Sequence, residues 1–422
     1  MNTLPTDASF IMTTSCSCRC KYCFVHKFGD EVIKDNVIRD GIDYLLNNAK
    51  KVGKKSINIS IFGGEPTLVP DKISILLSHA LKRQDETGIE CHIGLITNGV
   101  LLTDRLKDLI IEYKDKLNFG VQLSCDGNKE THDMYRVLKN GEGSFSHVEK
   151  NVPIYKEIFK DSPKQFSVHG CLNRQSLPHL FENYKFFREV WQIKRIWFMP
   201  VHEEEWTPND VEIYKQQLKS IADYILEDMI KNNRIDELKN FSPLSKLLDG
   251  RSWVNPPCNA GKTYMSIIPN GDLYPCHHFY FNDFNGEMKM GNLYEGIDDE
   301  KRKPFLELKN EDMEGCGQCE CYNCYRCLGA NYMTNGDIKK QIRGNYCSMA
   351  HVENEICEYM KAKAKELELY EDKNKVVSFT IDESLDILAQ AMKVLFVEID
   401  GIKANQEQMI ETQNKILNMI KG

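Results

Sequence analysis

No stretch of this 422-residue chain offers the ~20 consecutive apolar residues needed to cross a bilayer, and its start has no basic segment leading into an apolar run. Both absences lead us to expect a cytoplasmic protein with no membrane contact. Basic charge is short as well. Lys and Arg number 54 against 62 Asp and Glu, net −8, and no basic stripe interleaves with aromatics, so nucleic acid is not an expected partner. Length and apolar content are not lacking: 41% hydrophobic and 27% charged residues mark an ordinary globular protein with room for more than one core.

Cysteine is the excess, with sixteen residues. In a reducing compartment thiols do not persist as structural disulfides, so Cys at short spacings read as metal or cluster ligands. Cys91, Cys125, Cys171 and Cys357 stand apart and read as small buried hydrophobes. The other twelve form two groups: Cys16, Cys18, Cys20 and Cys23, then Cys258, Cys276, Cys316, Cys319, Cys321, Cys324, Cys327 and Cys347.

Between the groups, β-branched runs alternate with helical patterns. Strands are expected near Ser9–Thr14, Ser56–Phe62, Glu90–Thr97, Leu117–Ser124, Gln165–Leu172 and Lys194–Pro200. Helices are expected over Asn36–Lys50, Asp71–Glu86, Thr103–Tyr113, Phe145–Phe159, Leu177–Val190 and Pro208–Asn232. Six βα repeats make a doubly wound sheet or an incomplete barrel, and either places ligands at the carboxyl ends of the strands; periodicity does not choose between them. From about Phe241 the chain turns loop-rich and has too little apolar periodicity for a conventional core, as in a small domain stapled by metal. Leu388, Met392, Leu395, Ile399, Ile402, Gln406, Met409, Gln413, Ile416 and Ile420 then recur by fours and threes, the seam either of a coiled coil through which the chain would self-associate or meet a partner helix, or of one amphipathic helix packed on its own protein. The expected division is therefore 1–240, 241–370 and 371–422.

Cys16-x3-Cys20-x2-Cys23 follows the first strand. Three thiolates in a tight loop bind three irons of a [4Fe–4S] cube and leave the fourth open, while a zinc knuckle using all four Cys is the structural alternative. Gly63-Gly64-Glu65-Pro66 ends the second strand, where a Gly-rich turn allows close approach of a ligand and a carboxylate can meet an ammonium. Thr97-Asn98-Gly99 ends the third. Ser124-Cys125-Asp126-Gly127 ends the fourth, with Arg136 beyond it, a guanidinium suited to a carboxylate.

This set resembles the radical S-adenosylmethionine (SAM) enzymes, which implies a partial (β/α)6 TIM-like barrel within an α/β fold. The resemblance implies that SAM occupies the open iron, with its amino group at Gly63, Gly64, Glu65 and Pro66, its carboxylate at Ser124 and Arg136, and its ribose at strand-end polar groups such as Thr97, Asn98 and Asp126. It also implies that Tyr22 packs beside the adenine, with Met199 near the adenosyl group. Cys18 is extra to the pattern. The later Cys group resembles the SPASM domain, a carrier of auxiliary clusters: Cys258, Gly271 and Cys276 fit its opening, and Cys316, Cys319 and Cys347 its middle and end. Asn331 stands where the family has a further Cys after Cys327. Either Cys321 or Cys324 replaces it, or one cluster has an iron without a protein thiolate. Three [4Fe–4S] clusters are thus expected, one binding SAM and two auxiliary, reduced by a donor such as flavodoxin or ferredoxin.

The implied activity is a maturase that abstracts hydrogen from a ribosomally made precursor peptide and forms a thioether or other cross-link. An anaerobic sulfatase-type maturase is the near alternative, and a zinc-stapled interaction protein the distant one. Sulfatase-maturing relatives carry Asp directly after the Cys that matches Cys276; here His277 stands there and is the candidate proton acceptor.

Overall fold

The computed structural model describes residues 3–232, 237–238, 258–321, 324, 326–341 and 344–367. The coiled-coil seam expected over 388–420 lies outside the described residues. No described helix is long and apolar enough to cross a membrane.

Six parallel strands lead: β1 (Asp7–Ile11), β2 (Ser56–Phe62), β3 (Glu90–Thr97), β4 (Gly120–Ser124), β5 (Phe166–Leu172) and β6 (Arg195–Pro200). They pair strictly in chain order, and β7 (Glu237–Leu238) follows β6. Stepping always the same way, right-handed crossovers put every helix on one face, which decides for the curled, barrel-type winding over the doubly wound sheet. The connecting helices are α1 (Asp35–Val52), α2 (Pro70–Thr87), α3 (Asp104–Tyr113), α4 (Lys129–Tyr135), α5 (Phe145–Ile158), α6 (Leu180–Lys185) and α7 (Pro208–Asn232). Along β2 the alternation is clean: Ile57, Ile59 and Ile61 are fully buried, while Asn58, Ser60 and Phe62 take the opposite face. On β4 to β6 that opposite face carries Ser124, Cys171 and Met199, the last two register partners.

Two expectations need correction. The single helix expected over Leu177–Val190 is broken into a 3₁₀ turn with Pro178, α6, and a wide π turn over Phe186–Val190, which lets Phe186 and Phe187 pack on Trp191. Helix α4 went unforeseen, its apolar signal being too short; the Asn128 side chain caps it by accepting from Thr131 N–H.

The loop-rich segment extends the same sheet. Strand β8 (Tyr264–Ile267) pairs in parallel with β1, Asp7 opposite Tyr264 and Phe10 opposite Ile267. It turns back through a hairpin at Asn270-Gly271 into β9 (Asp272–Tyr274), and β10 (Gly291–Asn292) and β11 (Gly296–Ile297) finish that edge. Helices α8 (His277–Asn282), α9 (Asp299–Glu307), α10 (Leu328–Asn335) and α11 (Asn345–Glu366) complete it, and α11 packs along α7. Residues 1–371 form one compact unit.

Candidate functional site

The loop carrying the first Cys group is closed at its neck: Met12 N–H donates to Phe62 O (2.8 Å), Ile33 N–H to Met12 O (2.9 Å), and Thr13 bridges Val32. Within it the Cys18 thiol bonds both Cys16 and Cys20, which lowers both, Cys20 to about 7. Burial pushes Cys23 up to about 11. Cys18, the residue extra to the pattern, therefore sits between the first two thiols.

The Gly63-Gly64-Glu65 turn is pressed against this neck. A Cβ on Gly63 would meet Thr13 O at 2.5 Å, with φ +147°, and one on Gly64 would meet Ser15 O at 2.3 Å, so both positions demand glycine for the sake of the Cys loop. Glu65 is 1% exposed, and its Oε1 accepts from Thr67 N–H (3.1 Å), Thr67 Oγ1 (2.8 Å) and Thr97 Oγ1 (2.8 Å), its Oε2 from Asn98 N–H (2.7 Å). Glu65 therefore staples the turn to Thr97-Asn98, with Oε2 the less occupied of its two oxygens. Burial raises its carboxyl above the usual range, and the four bonds oppose that rise. Pro66 opens the 3₁₀ turn that Glu65 caps. Asn98 Nδ2 donates to Ser17 Oγ (3.0 Å) and reaches Cys16 Sγ (3.7 Å), tying the third strand end to the loop.

At the fourth strand end Asp126 is buried. Its Oδ1 accepts from Arg136 Nε (2.9 Å) and Cys171 N–H (3.0 Å), and its Oδ2 accepts from the Tyr22 hydroxyl. One edge of the Arg136 guanidinium is thus spent on Asp126; Nη2 touches Cys171 Sγ (3.8 Å), and the ring of Tyr22 lies beneath at 5.4 Å while stacking on Tyr135. Below, Cys125 Sγ contacts His132 Nδ1 (3.1 Å) and His132 Nε2 contacts Ser144 Oγ (2.8 Å), a buried prop for the same turn. Cys125 and Cys171 are therefore more than filler, and Cys171 faces the inner surface of the sheet. A strand-end position was the available signal for both.

The later thiols separate into two sets. Cys258, Cys276 and Cys327 act on one another electrostatically. Cys276 precedes α8 and Cys327 precedes α10, where the Cys327 sulfur accepts from Ala330 N–H (3.4 Å). Helix N-termini favour thiolates, yet burial and mutual repulsion push Cys276 well up and Cys327 to about 12. A cationic iron core would relieve that repulsion. In the second set, Cys321 and Cys324 bond each other and pack with Cys319 and Ala350 of α11, while Cys316 and Cys319 share one turn and Cys347 lies on the Ala350 face of α11. Asn331 takes no part: its Nδ2 donates to Ile338 O (3.2 Å) and Gln341 Oε1 (3.3 Å). Among the described residues no three His, Cys, Asp or Glu side chains converge on one point as a single metal ion would need.

Between the first thiol loop and Cys276 lies a stack of rings. Phe24, next to Cys23, stacks on His278 at 4.0 Å, and Phe62 meets His277 at 4.5 Å. The Nδ1 atoms of His277, His278 and, from the loop after β6, His202 are buried with no hydrogen-bond partner. Burial lowers His277 and His202 to about 4, so both are neutral imidazoles at neutral pH. His202 was not foreseen; its place just beyond the sixth strand was the only clue.

Comparison with known proteins agrees with this geometry. Residues 10–181 match the radical SAM superfamily, and residues 258–327 match SPASM, an iron–sulfur cluster-binding domain. A cysteine-type anaerobic sulfatase-maturating enzyme of Clostridium perfringens is 25% identical over 338 residues, 75% of this chain and 87% of the relative. The subtilosin biosynthesis protein AlbA of Bacillus subtilis is 23% identical over 82% of this chain and 71% of its own length. The solved structure of native anSMEcpe with bound AdoMet superposes with a TM-score of 0.67 at 22% identity, covering 86% of this chain and all of that one. The chain is a radical SAM enzyme that carries a SPASM domain.

Proposed function

We propose that this enzyme modifies a ribosomally made precursor peptide, forming a thioether or other cross-link, and that it holds three [4Fe–4S] clusters. The observation that supports this best is that two three-thiol sets, Cys16/Cys20/Cys23 and Cys258/Cys276/Cys327, approach through the Phe24–His278 stack. Each set leaves one corner of a cube without a protein thiolate. The first open corner takes SAM. The second is suited to a substrate thiolate, which would be held there for carbon–sulfur bond formation. The distal set then has Cys316, Cys319, Cys347 and one of Cys321 and Cys324.

When bound, the SAM cluster and SAM supply the electron and the 5′-deoxyadenosyl radical that removes a substrate hydrogen. The protein's part is placement. The free edge of Arg136 and Ser124 face the SAM carboxylate, backbone groups of 63–66 face its ammonium, and Thr97, Asn98 and Asp126 line the ribose side. Tyr22 and Met199 flank the adenosyl group. His277 would accept the proton that leaves the substrate, at its unpartnered Nδ1, and the electron released as the carbon–sulfur bond closes would pass to an auxiliary cluster. A flavodoxin or ferredoxin supplies electrons, and the 371–422 segment serves assembly or a partner helix. The working division remains 1–240, 241–370 and 371–422, in a cytoplasmic enzyme.

Anaerobic reconstitution tests the reading: about 12 irons per chain, SAM cleavage on reduction, and a Cys-containing peptide losing two hydrogens per bond formed. Zinc without cleavage would refute it. Sulfatase-type maturation is the second reading, favoured by the Clostridium perfringens relative; conversion of a sulfatase-derived Cys or Ser peptide to its aldehyde, with no cross-linked product from any precursor peptide, would establish that activity instead.

A further inference from the structure

The distal thiol set has a neighbour that no ligand pattern anticipates. His351 stands on α11 one turn beyond Cys347, next to Ala350, which packs on Cys321 and Cys324. Its Nε2 lies 3.8 Å from Cys319 Sγ. Both residues line an open cavity of about 890 Å³ whose walls include Glu320, Asp337 and Lys340.

We infer that His351 donates a hydrogen bond from Nε2 to the Cys319 thiolate and thereby raises the reduction potential of the distal auxiliary cluster. The inference rests on the cluster reading above. Direct ligation of iron by His351 fits less well: each iron of a cube takes one outside ligand, so side chains on neighbouring irons stand farther apart than a hydrogen-bond contact. The distal set also has five thiols for four irons and needs no nitrogen. A donor to a cluster sulfur stabilises the more negative, reduced state, and outer hydrogen-bond partners of this kind tune the metal they surround. His351 and Cys319 share the cavity wall, so a cluster bound at Cys319 would lie beside that opening, and its potential would govern electron exchange there. His351 is thus a positioning and tuning residue, not a catalytic one.

The test uses the full chain, reconstituted with iron and sulfide, with Cys16, Cys20 and Cys23 replaced by Ala so that only auxiliary clusters give signals. Redox titration followed by electron paramagnetic resonance would compare His351, His351→Gln and His351→Leu. The expected result is a lower midpoint for one of two auxiliary signals in His351→Leu, with the other unmoved and His351→Gln close to the parent because its amide still donates. Labelling with 15N-histidine should give a weak nitrogen coupling that His351→Leu abolishes. An unmoved midpoint in His351→Leu at full iron content would overturn the inference, as would the strong coupling of a directly bonded nitrogen. Absence of auxiliary iron in the parent would instead overturn the cluster reading itself, and this inference with it.

Discussion

The two cysteine-bearing regions are built on opposite plans. Around Cys16–Cys23 every supporting group has a protein partner: Glu65 makes four hydrogen bonds, Asp126 three, and the loop neck is closed by backbone bonds to β2. Around 309–347 the described residues make short turns and an eight-residue helix, and Cys321 and Cys324 bond each other beside Cys319. The first region is organised by the sheet before anything binds; the second depends on what it binds.

Removing iron should expose that difference most. In chelated protein, amide hydrogen exchange over 309–347 should accelerate by orders of magnitude while β2 to β5 stay protected; equal acceleration in both would erase the contrast. Next in size, Arg136→Ala strands the buried Asp126 carboxylate and should cost about 3–5 kcal/mol, read by urea unfolding of the iron-free chain. The loss belongs to the barrel, so a variant as stable as its parent would show that the network is not pre-built.

Acid should act through the histidines at the junction. A base whose folded pKa is depressed contributes stability above its unfolded value, and that stability is lost as pH falls towards the folded value. For His202 and His277, lowered to about 4, the window runs from 6.5 down to 4. Each should remove about 1–2 kcal/mol between pH 7 and 5, and His202→Phe should flatten the slope of unfolding free energy against pH. Glu65→Gln sets an amide against the Asn98 N–H and should cost about 1–3 kcal/mol, with weaker SAM binding by equilibrium dialysis. Smallest of all, Cys18→Ser should leave the iron count of the first cluster unchanged; a loss of iron would give Cys18 a larger part than its place between Cys16 and Cys20 implies.

The six strands were legible because β-branched alternation bounded by turns is a local signal, and each was found within a few residues. Motifs at strand ends were legible for the same reason. Long-range choices were not: nothing in Tyr264–Ile267 says that it will pair with β1, 257 residues earlier in register. The stapling role of Glu65 was not legible, because its four donors come from Thr67, Thr97 and Asn98 and are seen only in the fold. Cys171 read as a small buried hydrophobe, and His202 and His351 escaped notice, because each is a single residue whose neighbours come from distant parts of the chain.

The seam between β1 and β8 has a practical consequence. Strand β1 carries the Cys loop at one end and lends its outer edge from Asp7 to Phe10 to β8, so a chain cut near residue 240 would present a bare row of amides on a strand that is otherwise buried over four of its five residues. Such a fragment is built to aggregate. The SPASM segment cannot be peeled away or swapped as cargo without rebuilding the border it seals.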